Sequence, residues 1–362
     1  MLRLRSTVDA AGGSCLKNES SVVSFVRHRA AVWVVLAAGV LGAAARAQTC
    51  TTQAAMGAGM RQALAGSALA LASAIKGNDA ARVESMADHD LAANFDATAY
   101  IVHTNAAKIA NDTLQVTQVY ELDASARKTG DTTEAGEVDF ACPLRGTTDE
   151  VDFAISGLPP GVYGFVMVEA AGDRPWLLSF LLEQQGSGWK MAGIYPHART
   201  AAGHDGLWYW TTARAAAKAG HKWLAWVLYD EADQLLRPAN FATSTHLDEL
   251  RAERHTNAPS ELSDGVSEAT PLVIQGRAGA EFHVIDLGSA GTDDGKGMDL
   301  ILHYKAETLT DPAAETARNA AAAGALLAAH PELREDFTGI SVFAETEGRP
   351  PFATELGMGE VK

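Results

Sequence analysis

The sequence predicts an α+β protein: helices packed on a curved antiparallel meander, then a helical hairpin, then a second small α+β domain. Apolar residues recur at helical spacing from residue 52 to 110, and the apolar period changes to two between residues 114 and 194. A helical block at residues 204–256 then precedes a second group of strands with one Ala-rich helix. Strands and helices that fall in separate blocks, instead of alternating, indicate the α+β class.

Residues 1–47 form a predicted export signal. A basic patch at residues 27–29 precedes an apolar run at residues 30–45, which ends in the small-x-small motif Ala45-Arg46-Ala47. This order is typical of a cleavable signal peptide, and the run is shorter than the roughly 20 residues of a membrane span. An uncleaved anchor is the alternative. We therefore expect a secreted or periplasmic protein with no membrane span after signal cleavage.

The charge of the chain excludes two classes of partner. Removing the leader, which carries six basic and two acidic residues, takes the formal net charge from −16 to −20. Nucleic acids and anionic membranes attract clustered cations, so we expect neither as a partner. An unknown protein or a small-molecule ligand remains as the expected partner.

The cysteines predict one disulfide bond. Cys15 leaves with the leader, and Cys50 and Cys142 are the two that remain. In an oxidising compartment such a pair favours a disulfide that ties the mature N-terminus to the first sheet. Two unpaired thiols are the alternative.

Residues 48–200 are expected to form the first domain. The first helix ends at Gly77-Asn78-Asp79, and Asn78 or Asp79 can cap the second helix, which follows. A third helix spans residues 96–109. Six segments with strand character follow, separated by Gly- and Pro-containing turns. They lie at residues 114–120, 137–145, 150–155, 161–169, 176–183 and 189–194.

Two motifs in this domain carry a resemblance to a known family. The break "Ala74-Ile-Lys-Gly-Asn-Asp79" and the last strand "Gly188-Trp-Lys-Met-Ala-Gly-Ile-Tyr195" resemble the nuclear-transport-factor-2-like (cystatin-related) cone domain over residues 52–197. The resemblance implies helices against a curved meander. It also implies a cone cavity, which some members use for isomerisation or dehydration. His89, His103 and His197 are the nearest candidates for a titratable group in that cavity.

Residues 201–256 are expected to form a helical hairpin plus a third helix. The segments at residues 207–220 and 221–238 resemble a single tetratricopeptide repeat, with Gly220 at the turn and Pro238 after the second helix. One repeat is too few for a solenoid. We expect the hairpin to pack on the cone-like domain. A third hypothesis is a peptide-binding scaffold, for which a lone hairpin offers little groove.

A polar linker at residues 257–270 precedes a predicted C-terminal α+β domain at residues 271–362. Its strands are expected near residues 272–275, 281–286, 298–305 and 339–346, with a helix that has Pro312 in its first turn and ends near Ala329. The Gly-rich segment at residues 288–297 lacks the Lys-Ser/Thr ending of a phosphate loop and precedes a strand, so we interpret it as a hairpin loop.

An aromatic cluster is the unusual feature of the sequence. Trp and Tyr are enriched at binding surfaces, and they also dominate the burial between packed elements. The alternative to a binding role is that these aromatic residues are buried between the hairpin and the cone-like domain and hold the two together. The residues of the possible binding surface are Trp189, Tyr195, Trp208, Trp210 and Trp223.

No pattern for a catalytic, cofactor or metal site is found in the sequence. Asp88-His89-Asp90 lacks metal-ligand spacing, and no G-x-S-x-G motif is present. We therefore expect a non-catalytic binding or assembly module that uses no cofactor. The alternative is a small-molecule isomerase or dehydratase that uses the cone cavity.

Overall fold

The first half of the chain contains four helices and seven strands. The structure, a computed structural model, describes residues 48–127, 136–292, 294–308 and 311–361. The predicted signal peptide and Cys15 lie outside the described residues. The helices are α1 (Ala58–Lys76), α2 (Ala80–Met86), α3 (His89–Ala93) and α4 (Asp96–Ile109). The strands are β1 (Thr49–Thr52), β2 (Thr113–Asp123), β3 (Glu137–Pro143), β4 (Glu150–Ser156), β5 (Val162–Ala171), β6 (Trp176–Gln185) and β7 (Gly188–Ala198).

These strands form two antiparallel sheets instead of one continuous meander. The first sheet has the order β1-β2-β5-β6-β7, and β3 and β4 pair in a second sheet with β10 (Ala242–Ser244). The reason is visible in β6, where residues 177–182 are all buried. A strand that is apolar on both sides needs cover on both faces of its sheet. The helices cover one face, and the β3–β4 hairpin covers the other.

The first face packs tightly against α1. Leu64 of α1 and Val166, Val168 and Phe180 of the sheet are each 0 % exposed in one apolar cluster. The helix approaches β5 so closely that a Cβ atom added at Gly164 would collide with the Leu64 side chain. A side chain larger than hydrogen at this position would therefore force the Leu64 side chain to move.

The disulfide joins the two sheets. Cys50 in β1 and Cys142 in β3 are bonded, with their Cα atoms 5.2 Å apart. This is the pairing that the sequence favours, although the second cysteine lies in the second sheet. The bond fixes the edge strand of the first sheet to the hairpin that covers its face.

The middle of the chain forms three helices. They follow the short strands β8 (Thr200–Ala201) and β9 (His204–Asp205), and they are α5 (Gly206–Ala219), α6 (Lys222–Leu236) and α7 (Thr245–Asn257). Gly220 ends α5 in the left-handed region at φ 90°, as expected for the turn of a hairpin. Eleven of the fifteen residues of α6 are buried, because α5, α7 and the C-terminal sheet all pack on it.

The last part of the chain is a five-stranded sheet covered by one long helix. Its elements are β11 (Leu272–Gln275), β12 (Glu281–Gly291), β13 (Met298–Lys305), α8 (Pro312–Ala329), α9 (Leu333–Asp336), β14 (Gly339–Glu345) and β15 (Phe352–Gly357). The strands lie in chain order, and β13 and β14 are parallel because α8 connects them. The α+β class is therefore confirmed.

The hairpin packs mainly on this C-terminal sheet, whereas we expected it on the first sheet. Helices α5 and α6 share one hydrophobic cluster with β12, β13 and α8. Only the segment after α6 reaches the second sheet, where β10 pairs with β4. In the described ranges, no helix has the length and apolarity to cross a bilayer.

Two Gly→Ala substitutions test the packing of α1 with opposite expected signs. Gly164→Ala should lower the free energy of unfolding by about 1–3 kcal/mol, since Leu64 must move. Gly66→Ala, at an exposed site of α1 with open space around it, should raise it by about 0.5–1 kcal/mol. Denaturant unfolding measures both. Equal effects would contradict the close approach at β5.

Removing the disulfide should destabilise the protein. The two cysteines are 92 residues apart, and the chain-entropy estimate for a loop of this length is about 4.6 kcal/mol. Unfolding with and without reductant measures the loss. The double variant Cys50→Ser, Cys142→Ser should show the same loss and no response to reductant. Alkylation of both cysteines in unreduced, denatured protein would disprove the bond.

Candidate functional site

Two residues of the predicted aromatic surface are structural. Trp210 and Trp223 are 7 % and 6 % exposed within the cluster that joins the hairpin to the C-terminal sheet. The Trp210 Nε1 group donates a hydrogen bond of 2.9 Å to Glu253, and Trp223 stacks on His330 at 3.6 Å. Their side chains hold elements together and offer little surface to a partner.

The other three lie in separate places. Trp189 packs at the border of the cluster under α1, and Tyr195 contacts Phe241 between the two N-terminal sheets at 4.9 Å. Trp208 is 42 % exposed and stacks on His204 at 3.7 Å. The structure therefore does not bring the five aromatic residues into one surface.

The predicted cone cavity is occupied by side chains of the protein itself. Leu64, Ile75, Val102 and Ile109 are each 0 % exposed between the helices and the first sheet. Packing of this density leaves little room for a ligand among these residues. The candidate site must lie elsewhere.

The three candidate histidines are also separated. His89 and His103 are exposed on the helical side, where the His103 ring lies 2.7 Å from the Asn78 side-chain oxygen. His197, near the end of β7, lines a cleft at the other end of the first sheet. His197 is thus the candidate that the structure places at an opening.

This opening, the β7–α6 cleft, has a volume of about 450 Å³, which is within the usual range for small-molecule sites. It lies where the end of β7, the β8–β9 turn, α6 and β12 meet. Trp176 and Leu235 provide apolar wall, and the remaining wall is largely polar. The polar side chains that line it are Lys108, Arg174, His197, Thr200, Glu231, Gln234, Ser289 and Thr292.

The β8–β9 turn forms a strained edge of the cleft. Ala202 has φ 46° and Gly203 has φ 78°, so an alanine occupies the left-handed region that favours glycine. The turn is held against β12, where a Cβ atom added at Gly291 would lie 3.3 Å from the Ala201 Cβ. Backbone strain of this kind persists only where surrounding packing imposes it.

Glu231 is the most deeply buried acid of the cleft, at 4 % exposure. Its Oε2 atom accepts a hydrogen bond of 2.8 Å from the Ser289 hydroxyl of β12. Burial raises the pKa of Glu231 to about 7, against the lowering effect of Ser289 and with a smaller contribution from Asp230. Near neutral pH this carboxyl group can therefore be present in either charge state.

The neighbours of Glu231 on α6 have cationic partners. Asp230 pairs with Arg254 at 2.7 Å, and Asp233 pairs with Arg251 at 2.9 Å. Both arginines come from α7, so these ion pairs fasten α7 to α6. Within the described ranges, no lysine, arginine or histidine forms an ion pair with Glu231, which points away from α7 towards Ser289.

His197 is a neutral group in this cleft. Burial, with smaller contributions from the positive charges of Arg199 and Arg237, lowers its pKa to about 4. Its Nε2 atom is enclosed and has no hydrogen-bond partner in the described part of the chain. A neutral imidazole leaves Lys108 and Arg174 as the positive side chains of the cleft wall.

The two cations come from the first-sheet side. Lys108, in the last turn of α4, holds its Nζ atom 4.1 Å from the ring centre of Trp176. Arg174 lies in the β5–β6 connection and passes beside Gly295. A cation over an aromatic ring is attracted to the ring face. This contact positions Lys108 at the cleft.

Sequence patterns did not identify Glu231 or Ser289. The signal in the sequence was weak: Asp230, Glu231 and Asp233 fall in a helix that is otherwise strongly apolar, so at least one of them had to be buried. The Gly-rich segment joins the antiparallel strands β12 and β13 as expected, although residues 288–291 belong to β12; Gly291 and Gly295 also line the cleft. The spacing of the glycines in the sequence does not show that this segment lines a cleft.

Another cavity of about 560 Å³ lies between the β11–β12 turn and α8. Alanine and glycine dominate its lining, and Arg277 and Glu360 are the charged residues there. Among the described residues, no group of three or more histidines, cysteines or acids is arranged to hold a metal ion. The β7–α6 cleft has the greater concentration of charged and polar groups.

No known protein family matches the chain, and neither a curated protein nor a solved structure is significantly similar to it. The fold and the site define the class: an α+β protein with a charged cleft between its first sheet and α6. Functional inference therefore depends on the chemistry of the cleft.

The two shifted pKa values predict opposite effects of pH on stability. For Glu231, raised from 4.5 to about 7, the stabilising contribution is full below 4.5 and lost as the pH rises through about 7. For His197, lowered from 6.5 to about 4, it is full above 6.5 and lost as the pH falls through about 4. The largest change in unfolding free energy that each shift can produce is roughly 3 kcal/mol.

Single variants should separate the two contributions, which partly cancel in the native protein. From pH 4.5 to 7, Glu231→Gln should gain stability relative to the native protein, because the variant has no carboxylate to bury. As the pH rises from 4 to 6.5, the stability of His197→Gln should fall relative to that of the native protein. Unfolding free energies across this pH range measure both. Parallel profiles for all three proteins would contradict the shifts.

Proposed function

We propose that the protein is an exported, non-catalytic binding module whose β7–α6 cleft binds a small molecule with an anionic group. The observation that carries the proposal is the pair Lys108 and Arg174 in a cleft of about 450 Å³ whose histidine is neutral. Arginine and lysine are the side chains that recognise carboxylates and phosphates.

The long-range charge of the protein favours a small ligand over a large polyanion. A net negative surface repels nucleic acid and anionic lipid, which would have to approach many acidic side chains. A small anion enters a single cleft, where it interacts mainly with nearby cations. Salt largely screens charges that are more than about 10 Å away. The expectation of no nucleic-acid partner therefore remains part of the proposal.

Export supports a role outside the cytoplasm. The Cys50–Cys142 disulfide is compatible with an oxidising compartment. The proposed location is secreted or periplasmic, with the signal peptide at residues 1–47 removed.

The family resemblances are part of the same proposal. Helix α1 across an antiparallel β2-β5-β6-β7 sheet supports a nuclear-transport-factor-2-like cone at residues 52–197. Helices α5 and α6 with the Gly220 turn support a single tetratricopeptide-like hairpin. The proposed divisions are residues 48–200, 201–256 and 271–362, with a linker at 257–270. The second sheet formed with β10 is a departure from a simple cone.

Binding of small anions to the purified exported protein tests the proposal. Calorimetry with a panel of aliphatic mono- and dicarboxylates and phosphate esters should identify ligands that bind the native protein. Lys108→Gln and Arg174→Gln should each weaken this binding by about ten-fold, since a charge partner is removed. Lys218→Gln, at an exposed site of α5, is the matched control and should change nothing.

Two results would contradict the proposal. The first is a native protein that binds no member of the panel. The second is a Lys218→Gln variant that loses as much affinity as the two cleft variants, because binding would then depend on overall charge.

An enzyme using the same cleft is the second candidate. His197 and Glu231 have pKa values displaced in opposite directions, to about 4 and about 7, and such pairs are found in acid–base catalysis. The reaction type would be a small-molecule isomerisation or dehydration. A bound ligand that is recovered unchanged after prolonged incubation excludes this candidate, whereas conversion that Glu231→Gln abolishes favours it.

A further inference from the structure

The carboxyl group of Glu231 lacks a charge partner that its neighbours possess. Asp230 and Asp233 on the same helix each pair with an arginine of α7, whereas Glu231 pairs with none in the described part of the chain. An isolated buried carboxylate is costly, because it loses its hydration and gains no opposite charge. A proton or a cation must therefore satisfy Glu231.

One oxygen of Glu231 is available to a ligand. Oε2 accepts the hydrogen bond from Ser289, and no described residue donates to Oε1. Glu231 lines the cleft, so its carboxyl group borders the space that a ligand would occupy. A donor that entered the cleft could reach this oxygen without displacing Ser289.

We propose that the ligand of the β7–α6 cleft is a small zwitterion, with its carboxylate against Lys108 and Arg174 and its ammonium group paired with Glu231. This inference rests on the proposed function and adds a cationic group to the anion-bearing ligand. A molecule of amino-acid size suits a cleft of about 450 Å³.

The charges of the cleft come from opposite walls, which is the arrangement that a zwitterion requires. Lys108 belongs to α4 and Arg174 to the β5–β6 connection, both on the first-sheet side. Glu231 belongs to α6 and its partner Ser289 to β12, both on the C-terminal side. The Arg174 side chain reaches across to Gly295 of the β12–β13 connection, so a ligand in the cleft meets Lys108 on the first-sheet side, Glu231 on the C-terminal side and Arg174 between them.

The remaining groups that face Glu231 favour its pairing with a cation. Asp230, on the same helix, makes a second negative charge there unfavourable without compensation. The Tyr209 phenol of α5, whose pKa is raised by burial and then by Glu231, stays neutral at physiological pH. His197 of β7 is neutral above about pH 4, so it cannot replace the ammonium group.

The charge state of Glu231 predicts how the affinity changes with pH. As the pH rises through the Glu231 pKa, the group ionises and its attraction for an ammonium group increases. A carboxylate without an ammonium group gains nothing at Glu231 and is repelled by the new charge. The affinities of a zwitterion and of its matched carboxylate should therefore change in opposite directions.

A series of matched ligand pairs tests the inference by calorimetry. The zwitterions are glycine, β-alanine, γ-aminobutyrate, δ-aminovalerate and ε-aminocaproate, each compared with the unsubstituted carboxylate of the same chain length. At about pH 8, at least one zwitterion should bind about ten-fold more tightly than its matched carboxylate. The preference should disappear at about pH 5, where Glu231 is protonated.

Two variants assign the effect to Glu231. Glu231→Gln keeps the size of the side chain and removes its charge, so the preference for the zwitterion should be lost at both pH values. Binding of the simple carboxylate to this variant should no longer weaken as the pH rises. Glu355→Gln, at an exposed site of β15, is the matched control and should behave like the native protein.

The outcomes separate the inference from the proposed function. If simple carboxylates bind and every zwitterion binds no better at about pH 8, the ligand is an anion and the inference fails while the function stands. If the zwitterion preference persists in Glu231→Gln, Glu231 is not the cation acceptor and the inference also fails. If neither these ligands nor the anion panel bind, the proposed function itself fails.

Discussion

The burial of helix α6 on nearly every side is the constraint on which the rest of the structure depends. Helices α5 and α7 and strand β12 all pack on it, and its apolar side chains join one cluster with the C-terminal sheet. A helix so enclosed must also satisfy its polar residues internally. Asp230 and Asp233 do so through the arginines of α7. The same burial leaves Glu231 at a cleft, so the packing of one helix creates both the stability and the site.

In the first half of the molecule, both faces of the first sheet have to be covered. Strand β6 is apolar on both sides, so helices cover one face of the first sheet and the β3–β4 hairpin covers the other. The disulfide between β1 and β3 keeps this hairpin on the sheet. The core beneath α1 is filled by side chains, so no cavity of the kind that the cone resemblance implied is open there among the residues that the structure describes. The cleft lies instead at the edge of the first sheet, where β6 begins and β7 ends.

Local patterns were sufficient for most elements and insufficient for their partners. Strand β13 and helix α8 begin and end where the period and Pro312 predict, because these signals come from neighbouring residues. Strand β1 was missed since four residues show no period. The pairing of β10 with β4 was also missed, because residues 242–244 lie far along the chain from residues 151–153. Of the histidine candidates, His197 was found at the cleft, while Glu231 and Ser289 were not identified.

The sequence by itself determined the α+β fold class, the acidic charge and the favoured pairing of Cys50 with Cys142, because each depends on composition or on a local period. The tertiary structure decided that α6 packs on the C-terminal sheet, that Trp210, Trp223 and Trp226 are buried, and that two cations and an acid line one cleft. These features depend on contacts between distant segments. Burial then sets the charge states of Glu231 and His197, and no spacing in the sequence records how much water a side chain loses.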